Sequence, residues 1–218
     1  MDNAHRYKNK ISTYITLMTK IKIIRHSERL DYTNPLYWLV CIGQYWADSP
    51  LTNNGHKIAD EKGKLIAEND FKPKNIYTSP YSRTMATATV LQKTFPDTTI
   101  LIESLLAEFQ PTWKHRINLY PDGIPTTYNG EPTNFSYPES YQNFSDRVLF
   151  IIGKLLEKND EDILIVTHGE VLKAYTSHLQ RTYPNQLIDP GNTPYLTTLS
   201  FEFDRTVNTI VESSIMIQ

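Results

Sequence analysis

The 218-residue chain has one cysteine, Cys41, which excludes an intrachain disulfide and any zinc site built from several thiolates. It has no apolar run near the roughly 20 residues that a membrane-spanning helix needs. Neither sign of charge is in excess: 22 Lys and Arg against 24 Asp and Glu leave a formal charge of −2. No global positive field therefore draws the chain to nucleic acid or to an anionic membrane. Any pull on an anionic substrate must come from a local cluster of arginines.

Several catalytic signatures are also missing. A cysteine phosphatase needs Arg six residues after its Cys, and Cys41 has Ala47 there. No Gly-rich loop ending in Gly-Lys-Ser/Thr occurs, nor Gly-x-Ser-x-Gly, nor His-Glu-x-x-His. The aspartates show no evident metal cluster, so metal-dependent hydrolysis has little support. At the N-terminus Ser12, Thr13 and Thr16 interrupt a short apolar stretch, a poor secretory signal. Residues 1–20 read as an N-terminal extension, with Met18 as an alternative start, and the expected location is cytoplasmic.

What is present has the rhythm of an α/β protein. Short β-branched runs at 21–24 and 163–166 predict strands, with weaker ones at 75–78, 99–102 and 195–203. Helical patterns fall between them, at about 54–68, 82–95, 140–158 and 170–180. In the third, Phe144, Val148, Ile151, Ile152 and Leu155 make one apolar stripe. The alternation predicts one domain over 21–218, with a mostly parallel sheet covered on both faces. Two stretches break it. Residues 31–53 carry Tyr37, Trp38, Tyr45 and Trp46, and 110–138 form a Pro- and Tyr-rich connection that reads as an ordered flap.

The chemistry follows the strands. Arg25-His26-Ser27-Glu28-Arg29 follows the first, Ser79-Pro80-Tyr81-Ser82-Arg83 the second, Glu108 lies soon after the third, and Thr167-His168-Gly169 follows the strand at 163–166. In a parallel sheet the ligand crevice lies beyond the carboxyl ends of the strands. Four strand ends thus deliver three Arg, two His and one Glu to one edge. Guanidinium binds phosphate through charge-assisted pairs, neutral imidazole is a nucleophile, and a carboxylic acid can protonate a leaving oxygen. The set reads as phosphoryl transfer through a phosphohistidine.

Ile-Ile-Arg-His-Ser-Glu-Arg, Ser-Pro-Tyr-Ser-Arg-Thr and Val-Thr-His-Gly-Glu resemble the histidine phosphatase (phosphoglycerate mutase-like) superfamily over about 21–203. Asp31, Asp48-Ser49-Pro50-Leu51-Thr52-x-x-Gly55, Glu139-Ser140-Tyr141 and Pro194-Tyr195-Leu196 look most like the suppressor-of-T-cell-receptor-signalling and ecdysteroid-phosphate phosphatase branch. The resemblance implies a three-layer α/β/α sandwich. It implies His26 as the phosphorylated nucleophile, Arg25, Arg29 and Arg83 as phosphate ligands, His168 as the second imidazole and Glu108 as general acid and base. It calls for no cofactor and no metal. The substrate would be a phosphorylated small molecule or phosphoprotein, and a homodimer is one expectation that the branch carries.

Two departures bear on activity. The family usually has Gly where this chain has Ser27. If that position demands positive φ, Ser is strained by of order 1–3 kcal/mol; if not, its hydroxyl adds a donor near phosphate. The mutases carry a Glu-Arg-His-Tyr-Gly type segment at the acid position, and this chain has Glu108-Phe109-Gln110-Pro111, which favours a hydrolase. Ser27, Trp113 and Tyr128 are expected on the substrate rim, whose aromatic character suits phosphotyrosine or a steroid phosphate. The alternatives are a phosphomutase or sugar-bisphosphate phosphatase, and a phospho-binding adaptor in which Ser27 is the lesion.

Taken singly these residues have plain readings. An Arg-His pair after a strand is commonly surface polar sequence, Arg83 could be solvated, and His168-Gly169 could be an ordinary turn. Glu103 competes with Glu108 for the acid role. His56 reads as a capping or surface residue, and Trp38 and Trp46 as packing.

Overall fold

The computed structural model describes residues 18–41, 48–68, 70–111, 126–186, 188 and 191–218. His5, Tyr45, Trp46, Trp113 and His115 lie outside the described residues. The central strands are β1 (Met18–Arg25), β2 (Asn75–Thr78), β3 (Thr99–Ile102), β6 (Ile163–Thr167) and β7 (Thr198–Asp204). β3, β2, β6 and β1 run parallel in that order, with Ile76 opposite Leu164 and Ile23 opposite Ile165. β7 closes antiparallel on β1 and carries β8 (Thr209–Ile210) and β9 (Met216–Ile217). Every side chain of β6 is buried, which is why that run reads as continuous Ile-Leu-Ile-Val rather than alternating.

Helices cover both faces. Residues of α3 (Asn53–Ile66) and α4 (Ser82–Gln92) pack with Ile24, Ile76 and Leu164 on one side. On the other, α5 (Tyr141–Lys158) and α6 (Gly169–Thr182) pack with Ile21, Ile23 and Ile165. The expected stripe of Phe144, Val148, Ile151, Ile152 and Leu155 is the buried face of α5. Each such side chain contributes about 1.5–3 kcal/mol by leaving water. The expected three-layer sandwich is therefore the fold.

The departures are local. β1 begins at Met18, ahead of the expected boundary at residue 21, because Met18 to Lys20 pair with Glu202 to Asp204. β7 begins at Thr198 rather than at Tyr195. Leu196 takes a left-handed φ of 63°, and the Thr197 amide turns back to the Pro194 carbonyl at 3.1 Å. Part of 31–53 forms two short helices, α1 (Leu30–Thr33) and α2 (Pro35–Cys41), and Trp38 is buried. The described end of the 110–138 stretch holds a hairpin, β4 (Thr127–Tyr128) and β5 (Glu131–Pro132), turned by Asn129 and Gly130 at φ 52° and 82°.

Candidate active site

Arg25, Thr78, Ile102 and Thr167 end the four parallel strands, so the segments after them leave one edge of the sheet together. The His26 amide donates to the Thr167 carbonyl at 2.8 Å, which ties the β1 exit to the β6 exit. Nδ1 of His26 lies 2.8 Å from the Ser27 carbonyl. A carbonyl only accepts, so Nδ1 carries the proton and the lone pair stands on Nε2. The ring is 1% exposed. Burial first, then the positive charge of Arg83, holds its pKa well below the ordinary imidazole value.

The His168 ring stands edge-on to His26, centroids 5.4 Å apart. Its Nδ1 faces Nη2 of Arg83 at 3.3 Å and its Nε2 faces the Ser79 hydroxyl at 2.8 Å. Guanidinium only donates, so Nδ1 accepts and Nε2–H donates to Ser79. Arg83 is wholly buried, stacked over Tyr81 at 4.3 Å. It donates from Nη2 to Glu108 Oε2 at 3.0 Å and approaches Asp48 from Nη1 at 3.4 Å.

The other two arginines are held by different means. Arg25 donates to the Thr193 carbonyl and stacks on Tyr195 at 4.5 Å, and its Nε makes no hydrogen bond. Arg29 is gripped by Asp31 through two bonds, at 2.6 Å and 2.5 Å, and lies over Tyr32 at 4.4 Å. Gly169 makes room for Arg25: a Cβ there would stand 2.9 Å from Thr193 Oγ1 and 3.4 Å from Arg25 Nε.

Glu108 rather than Glu103 reaches this group. Glu103 caps the short 3₁₀ turn Ser104–Leu106, accepting from the Leu105 amide at 3.0 Å. Arg25, His26, Arg29, Arg83, Glu108 and His168 are thus brought together. Of the expected rim residues, Ser27 and Tyr128 are not. Ser27 is fully buried, its amide donating to Thr87 Oγ1 at 3.0 Å and its hydroxyl to the Gly55 carbonyl at 2.6 Å. That carbonyl takes the proton expected to serve phosphate, so Ser27 neither lines a rim nor offers a donor there. Positive φ among described non-glycine residues falls at Asp70, Asn129, Leu196 and Asn208, so Ser27 escapes the strain considered above. Tyr128 packs edge-on against Phe150 of α5, 6.0 Å between centroids, in the helical layer. Trp113 lies outside the described residues.

Sequence reasoning quoted Asp48 and Tyr195 only as parts of motifs, and the structure gives them work. Asp48 accepts from the Ser82 amide at 2.8 Å and from its hydroxyl at 2.5 Å, fixing the start of α4 beside Arg83. Thr52 caps α3, accepting from the Gly55 amide at 2.8 Å, and the Thr52 amide donates to the Glu28 carbonyl at 3.0 Å. A Cβ on Gly55 would stand 2.4 Å from that same Glu28 oxygen, so the 48–55 segment seats only with glycine there. His56 is exposed at the start of α3. Among the described residues no three of His, Cys, Asp or Glu are grouped to hold a metal ion, and no helix is long and apolar enough to cross a membrane.

Comparison with known proteins places the chain in a family. Residues 22–215 match the profile of the histidine phosphatase superfamily, branch 1. A phosphoglycerate mutase family protein of Acanthamoeba polyphaga mimivirus is 64% identical over 200 residues, covering 92% of this chain and 98% of the viral protein. The 6-phosphofructo-2-kinase/fructose-2,6-bisphosphatase 3 of Bos taurus is 27% identical over 133 residues, 59% of this chain, and the match spans 28% of the bovine protein. The ecdysone phosphate phosphatase of Bombix mori, solved in complex with tungstate, superposes with a TM-score of 0.61 over 88% of this chain and 92% of that one. At 18% identity that last likeness is one of fold.

Proposed function

Because the chain belongs to the histidine phosphatase superfamily, we propose that it hydrolyses phosphomonoesters through a phosphohistidine on Nε2 of His26. The observation that carries this reading is the 2.8 Å bond from His26 Nδ1 to the Ser27 carbonyl, which leaves Nε2 as the bare nucleophile. The depressed pKa keeps that ring neutral at working pH.

In the first step Nε2 bonds to phosphorus while the ester P–O bond breaks, and Glu108 gives its proton to the departing oxygen. In the second, water attacks phosphorus, its proton passes to Glu108, and the P–N bond breaks to return neutral His26. The phosphoryl charge is met by Arg25, Arg29 and Arg83, and His168 would add a donor by giving up its Ser79 bond for a phosphoryl oxygen, so the reaction needs no metal. Catalysis of this kind rests chiefly on positioning and electrostatics. Nε of Arg25 is a donor that a phosphoryl oxygen would satisfy.

The substrate we propose is a bulky or aromatic phosphoester of the phosphotyrosine or steroid phosphate type. Tyr32, which is 69% exposed, and Tyr195 each stack on an arginine of the site, so a phosphate held there has aromatic faces beside it. The likeness to the bovine bisphosphatase supports a sugar-bisphosphate phosphatase as the second reading. The binding-only alternative, which made Ser27 the lesion, has no backbone strain at Ser27 to support it, and turnover is what separates it from the enzyme.

The test is hydrolysis of p-nitrophenyl phosphate with EDTA throughout. Turnover by the wild type and none by His26→Ala is expected, and a wild type inert from pH 5 to 8 would overturn the reading. Comparing aryl, steroid and sugar phosphates by kcat/KM then separates the two substrate classes.

A further inference from the structure

Glu108 stands on irregular chain between the 3₁₀ turn and the flap, and a general acid must be held to within a fraction of an ångström. That segment is neither helix nor strand, so no regular backbone ladder sets its place. A second charged pair, away from the arginines of the site, does this instead. Arg147 on α5 and Glu139 just before it are both buried, joined at 3.0 Å from Nε to Oε2 and 2.6 Å from Nη2 to Oε1.

Each partner spends its remaining capacity on the chain beside Glu108. Nη1 of Arg147 donates to the carbonyls of Leu105, at 2.5 Å, and Ala107, at 3.1 Å. Glu139 Oε1 accepts from the Gln110 amide at 3.1 Å, and the Glu139 amide donates to the Gln110 carbonyl at 3.0 Å. The pair therefore grips the backbone one residue before Glu108 and two residues after it. The Gln110 side chain carries the grip onward, donating to the Tyr81 hydroxyl and to the Glu108 carbonyl at 3.2 Å. Tyr81 in turn stands edge-on to His168, centroids 5.1 Å apart.

A buried ion pair is seldom more stabilising than well-packed apolar side chains of the same volume. What it supplies here is direction, because a guanidinium fork accepts only a narrow range of geometries. We propose that Arg147 and Glu139 are positioning residues that aim the Glu108 carboxyl at the leaving-group oxygen. This rests on the phosphatase reading above and adds to it a buried device for proton delivery.

The experiment compares p-nitrophenyl phosphate, whose leaving group departs without help, with phenethyl phosphate, of similar bulk but needing a proton. The variant is the double Glu139→Leu/Arg147→Met, which leaves no lone buried charge; if it does not fold, Glu139→Gln serves. The loss in kcat/KM, which reports phosphoryl transfer to His26 and not the shared hydrolysis step, is expected to be greater on phenethyl phosphate than on p-nitrophenyl phosphate by about tenfold or more, with inhibition by inorganic phosphate unchanged. In a Glu108→Gln background the double variant should produce no further difference between the two esters. Equal losses in kcat/KM on both esters would overturn the inference while leaving the phosphatase reading intact. A wild type that turns over neither ester would overturn both.

Discussion

Nη2 of Arg83 donates to Oε2 of Glu108 at 3.0 Å, so the proposed proton donor and a proposed phosphate ligand are bonded to each other. Both are also tied to the wider scaffold: Arg83 approaches Asp48, and the loop of Glu108 is gripped by Arg147 and Glu139. On the phosphatase reading, a phosphoryl oxygen bound at Nη2 would compete with the Glu108 carboxylate for that donor. On that reading, binding and acid catalysis would be coupled through one guanidinium.

That coupling predicts what removing the acid does. On p-nitrophenyl phosphate the first step needs little protonation, but the second needs Glu108 to activate water. Glu108→Gln is expected to release a burst of p-nitrophenol equal to the enzyme present, then to turn over roughly 10²–10⁴-fold more slowly. Rapid-quench kinetics with detection of acid-labile phosphoenzyme checks this. Slow turnover without a burst would place Glu108 in the first step alone.

His26 gives a prediction for pH and stability. Its folded pKa is held well below the ordinary value by burial first and by Arg83 next. Between that folded value and about 6.5 the unfolded chain binds a proton that the folded one refuses. Stability is therefore full above about pH 6.5 and is lost as pH falls below it, by up to about 1.4 kcal/mol per pH unit for this group. Urea unfolding of His26→Asn between pH 7 and 5.5 should show a correspondingly shallower decline than the wild type. Parallel curves would mean that His26 titrates normally.

Much of this could be read in the chain before any coordinates. The parallel strands announce themselves as β-branched runs because burial on both faces leaves no polar alternation, and residues just past such runs share an edge by topology alone. That is why His26, Arg83, Glu108 and His168 were legible. The rest depends on contacts that carry no periodic signal. Tyr195 reads as strand because Leu196, whose left-handed φ ends the run, is an apolar residue that does not advertise a turn. Ser27 reads as a phosphate donor until the Gly55 carbonyl is seen to take its proton. Arg147 looks like any polar position on an amphipathic helix, although it faces the core beside Phe144 and Val148.

Ser27 can be tested directly. Its hydroxyl bonds to Gly55 at 2.6 Å inside the protein, and its backbone needs no glycine. Ser27→Gly should cost about 1–2 kcal/mol of stability through the lost bond and the freer unfolded chain. Turnover should change by less than about threefold. A rise of tenfold or more would instead make the serine a brake on catalysis.

Gly169 tests how closely the site is packed around Arg25. The first residue of α6 lies so near Thr193 and Arg25 that a methyl group would meet Thr193 Oγ1 at 2.9 Å and Arg25 Nε at 3.4 Å. Neither neighbour is free to yield without cost, since Arg25 is fixed by the Thr193 carbonyl and by Tyr195. Gly169→Ala is expected to destabilise the fold by about 1–3 kcal/mol, the usual penalty for overpacking. It should also displace the guanidinium, raising KM for phosphomonoesters and the inhibition constant of inorganic phosphate together. Thermal unfolding and phosphate inhibition measured on one preparation check both parts. A destabilised protein with unaltered phosphate affinity would show that Thr193 alone absorbs the strain and that Arg25 keeps its place.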